Sequence, residues 1–314
     1  LYAKQNFARS CYYPVSPISR QSDMTPSRSD FIDVRGQRTH VRHWGRDGAP
    51  KVFMLHGWMD VGASFQFVVD CLQGDWHVIA PDWRGFGLSE RNGTDTYWFP
   101  DYVADLDAIL RHYQPEGAAN LLGHSMGGNV ASLYAGIRPE RIRRLVNLEG
   151  FGLKATVPEQ APSRYRKWLD ELLVAPEMRS YDSQAAVAAR LQKTNPRLSD
   201  ARAAFLASHW SAPNAQGRWE ILGDPVHKRP GPALYRVEEV LACWKKITAP
   251  VLWVEAEDTN MWLWMGPKDE ARAEIDRRLG HLAQVTPKMM PDAGHMLHHD
   301  QPELLAQMLE EFLA

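Results

Sequence analysis

Residues 123–127 read Gly-His-Ser-Met-Gly, the residue types that could turn a hydroxyl into a nucleophile. A serine Oγ attacks poorly unless it is held exposed, beside a base, and near donors that can stabilise an oxyanion. A sharp turn from strand into helix presents it in that way. Such a turn strains the serine backbone and leaves no room for side chains two residues to either side, which Gly123 and Gly127 satisfy around Ser125. Met126 then opens the helix, with its N–H free of any intrahelical acceptor and the positive end of the helix dipole facing the reacting centre. The bland alternative is a glycine-rich turn with an inert serine. The apolar run 120–122 before it and the helical pattern after it favour the nucleophile. Twelve histidines are available as a base, and an unperturbed pKa of about 6.5 suits one to take up a hydroxyl proton near neutrality and return it. None forms H-E-x-x-H or another ligand spacing, so no metal site is expected.

The elements that must hold this turn follow from periodicity. Residues 31–35 and 39–44 read as short strands around a turn at Gly36-Gln37. Residues 51–55, 77–80, 120–122, 144–148 and 251–254 are continuous apolar runs, as expected of strands buried on both faces. Helical patterns lie between them at 64–72, 102–113 and 130–136. Short apolar strands alternating with helices predict a parallel sheet with helices on both faces. Residues 151–248 break the alternation: they show no convincing strand, but helical spacing at 163–173, 182–193, 199–210 and 235–246, punctuated by prolines. The core resumes at 249 and closes with a helix over 302–313. The expected organisation is an N-terminal extension over 1–29, poorly ordered, with 1–23 upstream of the fold. Core follows over 30–150, a helical insertion over 151–248, and core again over 249–314.

Four segments, in this order along the chain, resemble the α/β-hydrolases that carry a helical cap. His56-Gly57-Trp58 is similar to that family's oxyanion loop and implies that the Trp58 N–H pairs with the Met126 N–H. Asp82-Trp-Arg-Gly-Phe-Gly-Leu-Ser89 is similar to its D-x-R-G-x-G-x-S turn, whose role is mainly structural. The third is the serine turn itself. Asp292-Ala-Gly-His-Met296 resembles the loop bearing the catalytic histidine, which implies His295 as general base; His298 and His299 nearby lack the preceding glycine. The resemblance implies an α/β fold with a mostly parallel central sheet flanked by helices and a helical cap insertion. It also implies an acid that fixes the histidine tautomer and stabilises the imidazolium. The usual place is just after the 251–254 strand, where Asp258 of Glu255-Ala-Glu-Asp-Thr259 falls in the chain order Ser…Asp…His. Ala256 stands where a glycine is common. Glu149, at the end of the 144–148 strand, matches the position some members use instead; both remain open, Asp258 preferred.

Epoxide hydrolases and haloalkane dehalogenases of this architecture need a carboxylate where Ser125 stands. The resemblance therefore implies acyl transfer without a cofactor: a serine hydrolase cleaving carboxylic esters of small to medium hydrophobic substrates. A carbon–carbon bond hydrolase, lactonase, thioesterase or perhydrolase would use the same triad. A non-catalytic binding protein on this fold is the reading from another class, and such proteins lose the nucleophile or base that this chain keeps. Seven of the 12 tryptophans follow residue 150, and pockets are mostly apolar and aromatic. Trp168, Trp210, Trp219, Met261 and Trp262 are the expected pocket wall, with core packing the competing account for any one of them.

Composition narrows the partners. The 314 residues carry 36 Lys+Arg against 38 Asp+Glu, a net charge of −2, with no block of like charge, so a basic field for nucleic acid is absent. No run approaches 18 apolar residues, so no membrane span is expected. Cys11, Cys71 and Cys243 are odd in number and widely spaced, which points to a reducing, cytoplasmic compartment.

Overall fold

The computed structural model describes residues 24–314; the upstream stretch 1–23 of the expected extension lies outside the described residues. In chain order the strands are β1 (Ser27–Val34), β2 (Gln37–Trp44), β3 (Lys51–Leu55), β4 (His77–Pro81), β5 (Ala119–His124), β6 (Ile142–Leu148), β7 (Ser180–Tyr181), β8 (Ser211–Pro213), β9 (Trp219–Ile221), β10 (Val251–Ala256) and β11 (Val285–Met290). The helices are α1 (Gln66–Val69), α2 (Phe99–Tyr113), α3 (Met126–Ile137), α4 (Ala161–Leu172), α5 (Gln184–Thr194), α6 (Asp200–Trp210), α7 (Val237–Trp244), α8 (Trp262–Met265), α9 (Lys268–Leu279), α10 (Leu297–Asp300) and α11 (Pro302–Leu313).

Eight strands form one sheet in the order β1-β2-β4-β3-β5-β6-β10-β11. Only β2 runs against its neighbours; β4, β3, β5, β6, β10 and β11 are mutually parallel. The apolar runs are continuous because both faces are covered. Phe53, Leu55, Leu121, Val251 and Trp253 point to the side of α2, α3, α7 and α9, while Val52, Met54, Leu122, Leu252 and Val254 point to α1, α10 and α11. On α11 the buried face is Leu305, Leu309 and Leu313, four residues apart, each worth about 1.5–3 kcal/mol of apolar burial.

The sequence expectations fail in instructive places. The β1–β2 hairpin turns on Arg35 and Gly36, both with positive φ (56° and 79°), one residue earlier than expected. Two positive-φ residues make the turn that matches strand twist. β1 itself begins at Ser27, inside the stretch read as extension. The helix expected over 64–72 is only a 3₁₀ turn (Gly62–Phe65) and the four residues of α1. The edge strand β11 carries Pro287 and three other exposed residues, so it gives no apolar run. α9 buries just Ala271, Ile275 and Arg278 on an otherwise polar helix.

Between β6 and β10 the chain forms α4–α7 and, contrary to the sequence reading, three short strands paired β7-β9-β8. A third apolar cluster anchors this segment: Val187 and Leu191 of α5 and Ala203, Leu206 and Ala207 of α6 pack with Phe67 of α1. α4 buries none of its residues, and Leu169 and Leu173 stand open to solvent. Among the described residues no helix is long and apolar enough to cross a membrane.

Candidate active site

The carboxyl ends of the parallel strands carry the chemistry-bearing residues, the usual place for a site in an open α/β sheet. Ser125 follows β5 and precedes α3 with φ 51° and ψ −113°, a strained backbone for a residue with a side chain. Its N–H donates to the Leu148 carbonyl at 2.8 Å, which ties the turn to β6. The neighbouring glycines are required by contact. A Cβ on Gly127 would lie 2.1 Å from the Leu55 carbonyl oxygen, and one on Gly123 would lie 2.4 Å from the Gly127 carbonyl carbon.

His295, after β11, lies with Nε2 3.0 Å from Ser125 Oγ. Its other nitrogen, Nδ1, lies 3.2 Å from Glu149 Oε2. A carboxylate only accepts, so Nδ1 carries the hydrogen and Nε2 is left to accept from the serine hydroxyl. Glu149 is buried and has φ 56° just past the end of β6. Its N–H donates to Val254 of β10 at 3.1 Å. Its carboxylate takes the Ala256 N–H at 2.7 Å on Oε1 and the Thr259 hydroxyl on Oε2, which fixes its aim.

Asp258, the preferred acid on sequence grounds, is not on the histidine. Its carboxylate is 58% exposed and pairs with Arg197 of the segment between β6 and β10. The reason is local. The Asp258 N–H is bonded to the Ala293 carbonyl at 2.9 Å, and the Nδ1 side of His295 is already taken by Glu149. The carboxylate that meets His295 is therefore Glu149 rather than Asp258. Thr259, which steadies it, carries no sequence signal.

Met126 is the first residue of α3, so its N–H lacks an intrahelical acceptor. The loop holding Trp58 approaches the same turn: a Cβ on Gly57 would sit 3.3 Å from Ser125 Cβ. The Trp58 ring points outward, 53% exposed, which leaves its backbone as the part of the residue near the turn. His56 braces the loop, its Nε2 accepting from the Trp83 N–H at 2.9 Å and Nδ1 donating to Gly57 O at 2.7 Å. The 82–89 turn is likewise a brace. Buried Asp82 accepts from the N–H groups of Gly62 and Leu88 and from His40. His124, beside the nucleophile, donates from Nε2 to the His295 carbonyl at 2.8 Å. Burial, with His298 and His295 beside it, holds it neutral, far below the ordinary histidine pKa.

A cavity of about 1300 Å³ runs between α2, α3 and the segment after β6, lined largely by apolar groups including Trp98, Leu133, Leu153, Trp168 and Trp264. Trp264, on its wall, lies between it and the serine site, with its ring centroid 4.7 Å from that of His295; Ser125, His295, Trp58 and Met126 do not line it. Of the expected pocket wall, Trp168 lines this cavity. Trp210 and Trp219 pack against the third apolar cluster instead, and Met261 and Trp262 lie in and against the main core. Trp264, two residues past the expected Trp262, lines the cavity instead.

A family model described as alpha/beta hydrolase fold matches residues 50–302. A serine hydrolase-like protein of Danio rerio is 27% identical over 289 residues, covering 90% of this chain and 85% of its own. The AB hydrolase superfamily protein YfhM of Bacillus subtilis is 25% identical over 316 residues, covering 91% of this chain and 98% of its own. Among solved structures, the thioesterase domain from the curacin biosynthetic pathway superposes with a TM-score of 0.81 at 24% identity, over 91% of this chain and 99% of that one. At that identity the likeness speaks for the fold.

Proposed function

The chain belongs to the α/β-hydrolase fold family, and from that premise we propose that this hydrolase is a serine enzyme that cleaves carboxylic esters of hydrophobic acids through an acyl-enzyme. Ser125 Oγ gives its proton to His295 Nε2 and attacks the substrate carbonyl. The N–H groups of Trp58 and Met126 stabilise the tetrahedral oxyanion. His295 then protonates the leaving group, and Glu149 holds its Nδ1–H throughout. Water, deprotonated by His295, releases the acid and restores Ser125. The observation that carries this reading is the unbroken chain from Ser125 Oγ to His295 at 3.0 Å and from His295 to Glu149 at 3.2 Å.

Residues 151–248 act in this reading as the cap, and the large apolar cavity beside Trp264 receives the acyl group. A cavity above the usual range for small-ligand pockets, roughly 300–1,000 Å³, favours a medium to bulky acyl chain over acetyl. The test is hydrolysis of p-nitrophenyl esters from acetate to decanoate, with Ser125→Ala alongside. Turnover that rises with chain length and falls to background in Ser125→Ala is expected. Undiminished turnover in Ser125→Ala overturns the mechanism. Silence in both proteins with intact fluorophosphonate labelling of Ser125 overturns the choice of substrate alone.

A further inference from the structure

Directly behind the serine turn lies a buried polar cluster that the reaction does not use. Asp60, His124 and His298 come from three separate segments: the loop after β3, the end of β5, and α10. All three are almost wholly buried, at 2%, 1% and 0% exposure. One ligand-type atom from each lies within 4.8 Å of the others. His298 Nε2 and Asp60 Oδ2 are 3.8 Å apart, beyond a hydrogen bond. Asp60 Oδ2, His124 Nδ1 and both ring nitrogens of His298 have no hydrogen-bond partner. Four orphaned polar atoms in one buried place call for an explanation, because buried polar groups are nearly always satisfied.

Three of the four orphans can turn lone pairs into one space. His124 Nε2 faces the His295 carbonyl, which can only accept, so Nε2 carries the hydrogen and Nδ1 turns a lone pair into the cluster. Asp60 Oδ1 is occupied by the Val61 N–H at 2.7 Å and the Ser64 hydroxyl, which leaves Oδ2 to face the same space. With a cation in that space, one ring nitrogen of His298 supplies a third lone pair while the other keeps its hydrogen. One water donates two hydrogens and leaves an acceptor over. A cation satisfies all three.

We propose that Asp60, His124 and His298 form a binding site for a first-row divalent metal ion, Zn²⁺ by its donor chemistry, with water as a fourth ligand. Two imidazoles and one carboxylate are an ordinary Zn²⁺ donor set, and too poor in oxygen for Ca²⁺ or Mg²⁺. Drawing the three atoms onto an ion at about 2.0–2.2 Å needs a contraction of the cluster by roughly an ångström. The bound ion ties together the segments that carry Gly57-Trp58, Ser125 and His295, and so steadies their mutual position without touching the substrate.

The test uses the full chain, stripped with a chelator and titrated with Co²⁺ as a spectroscopic probe. Loading is followed over hours and also after refolding from urea with Co²⁺ present, since the site is closed to solvent. One equivalent of Co²⁺ with the strong visible absorption of four-coordinate geometry is expected, displaced by Zn²⁺. Melting should rise by about 5 °C at a free ion concentration near 100 times Kd. His298→Asn and Asp60→Asn should each weaken Co²⁺ binding at least tenfold, with the half-buried His281→Ala, remote from the cluster in sequence, unchanged. A wild-type chain that never shows this absorption overturns the proposal. An absorption that survives both variants overturns it equally. If either variant fails to fold, His298→Gln and the wild-type spectrum decide.

Discussion

Exchanging the two rival carboxylates for their amides separates their roles by orders of magnitude. Glu149 is fully buried, so its charge acts on the His295 imidazolium through a poorly screening medium. With roughly 4 Å between charge centres and an effective dielectric of about 20, the attraction is about 4 kcal/mol. Losing it from the transition state costs about a thousandfold in rate. Glu149→Gln removes that attraction and also offers an amide N–H to Nδ1, which favours the tautomer with hydrogen on Nε2 and spoils the base facing Ser125. Asp258 stands mostly in solvent against Arg197, where an exposed pair is worth at most about 1 kcal/mol. Asp258→Asn should therefore stay within about fivefold of wild type. The assay is kcat/KM on one p-nitrophenyl ester for both variants, with thermal melts to show that each is folded. A Glu149→Gln enzyme within tenfold of wild type, or an Asp258→Asn enzyme down a hundredfold, refutes the assignment.

Two further expectations concern stability. Burial, before any neighbouring charge, lowers His43 and His227 to about 4; a folded pKa below the unfolded value near 6.5 gives stability that is full above about pH 6.5 and is lost as pH falls towards 4. At 1.36 kcal/mol per pH unit this is at most about 3 kcal/mol for each histidine, and urea midpoints at pH 7 and 4.5 that coincide would refute it. Gly127→Ala forces a Cβ to 2.1 Å from the Leu55 carbonyl oxygen and should cost about 3 kcal/mol or prevent folding. Gly231→Ala, whose nearest contact would be 3.7 Å, should be neutral by the same melt, and equal behaviour of the two would refute the contact argument.

The serine turn, the sheet and the histidine loop are legible because each leaves a local mark. Gly123 and Gly127 are dictated by contacts within a few residues or from the adjacent strand, and the buried strands must be apolar on both faces. The acid was not legible in the same way. Glu149 and Asp258 each follow a parallel strand, at the ends of the adjacent β6 and β10, and pattern alone assigns either. What separates them is aim, fixed by the Ala256 N–H and the Thr259 hydroxyl, neither of which has a signature. The tryptophans divide for a related reason: an aromatic ring fills core and cavity wall with the same chemistry, so Trp210 and Trp168 differ only by what the chain folds against them. β11 and α9 were missed because an edge strand and a helix with a narrow buried face carry few apolar residues to read.

The geometry around Asp258 also explains why that position is free to do something else. With Glu149 on Nδ1 of His295, the carboxylate after β10 is free to pair elsewhere, and Asp258 ties this loop to Arg197 of the segment between α5 and α6. The same segment and the first turn of α6 reach the histidine loop and α10 at several points. Arg197 approaches Asp292 at 3.5 Å, Asn195 donates to Asp300 at 2.6 Å, and Arg202 donates to the His299 carbonyl at 2.8 Å. Asp300 in turn accepts the Gly294 N–H at 2.8 Å, one residue before His295. Each contact is part-exposed and worth little alone. Together they bracket the loop on both sides of His295, and a base that must meet Ser125 at 3.0 Å tolerates little drift. The inserted segment thus touches the loop carrying His295 as well as the cavity wall.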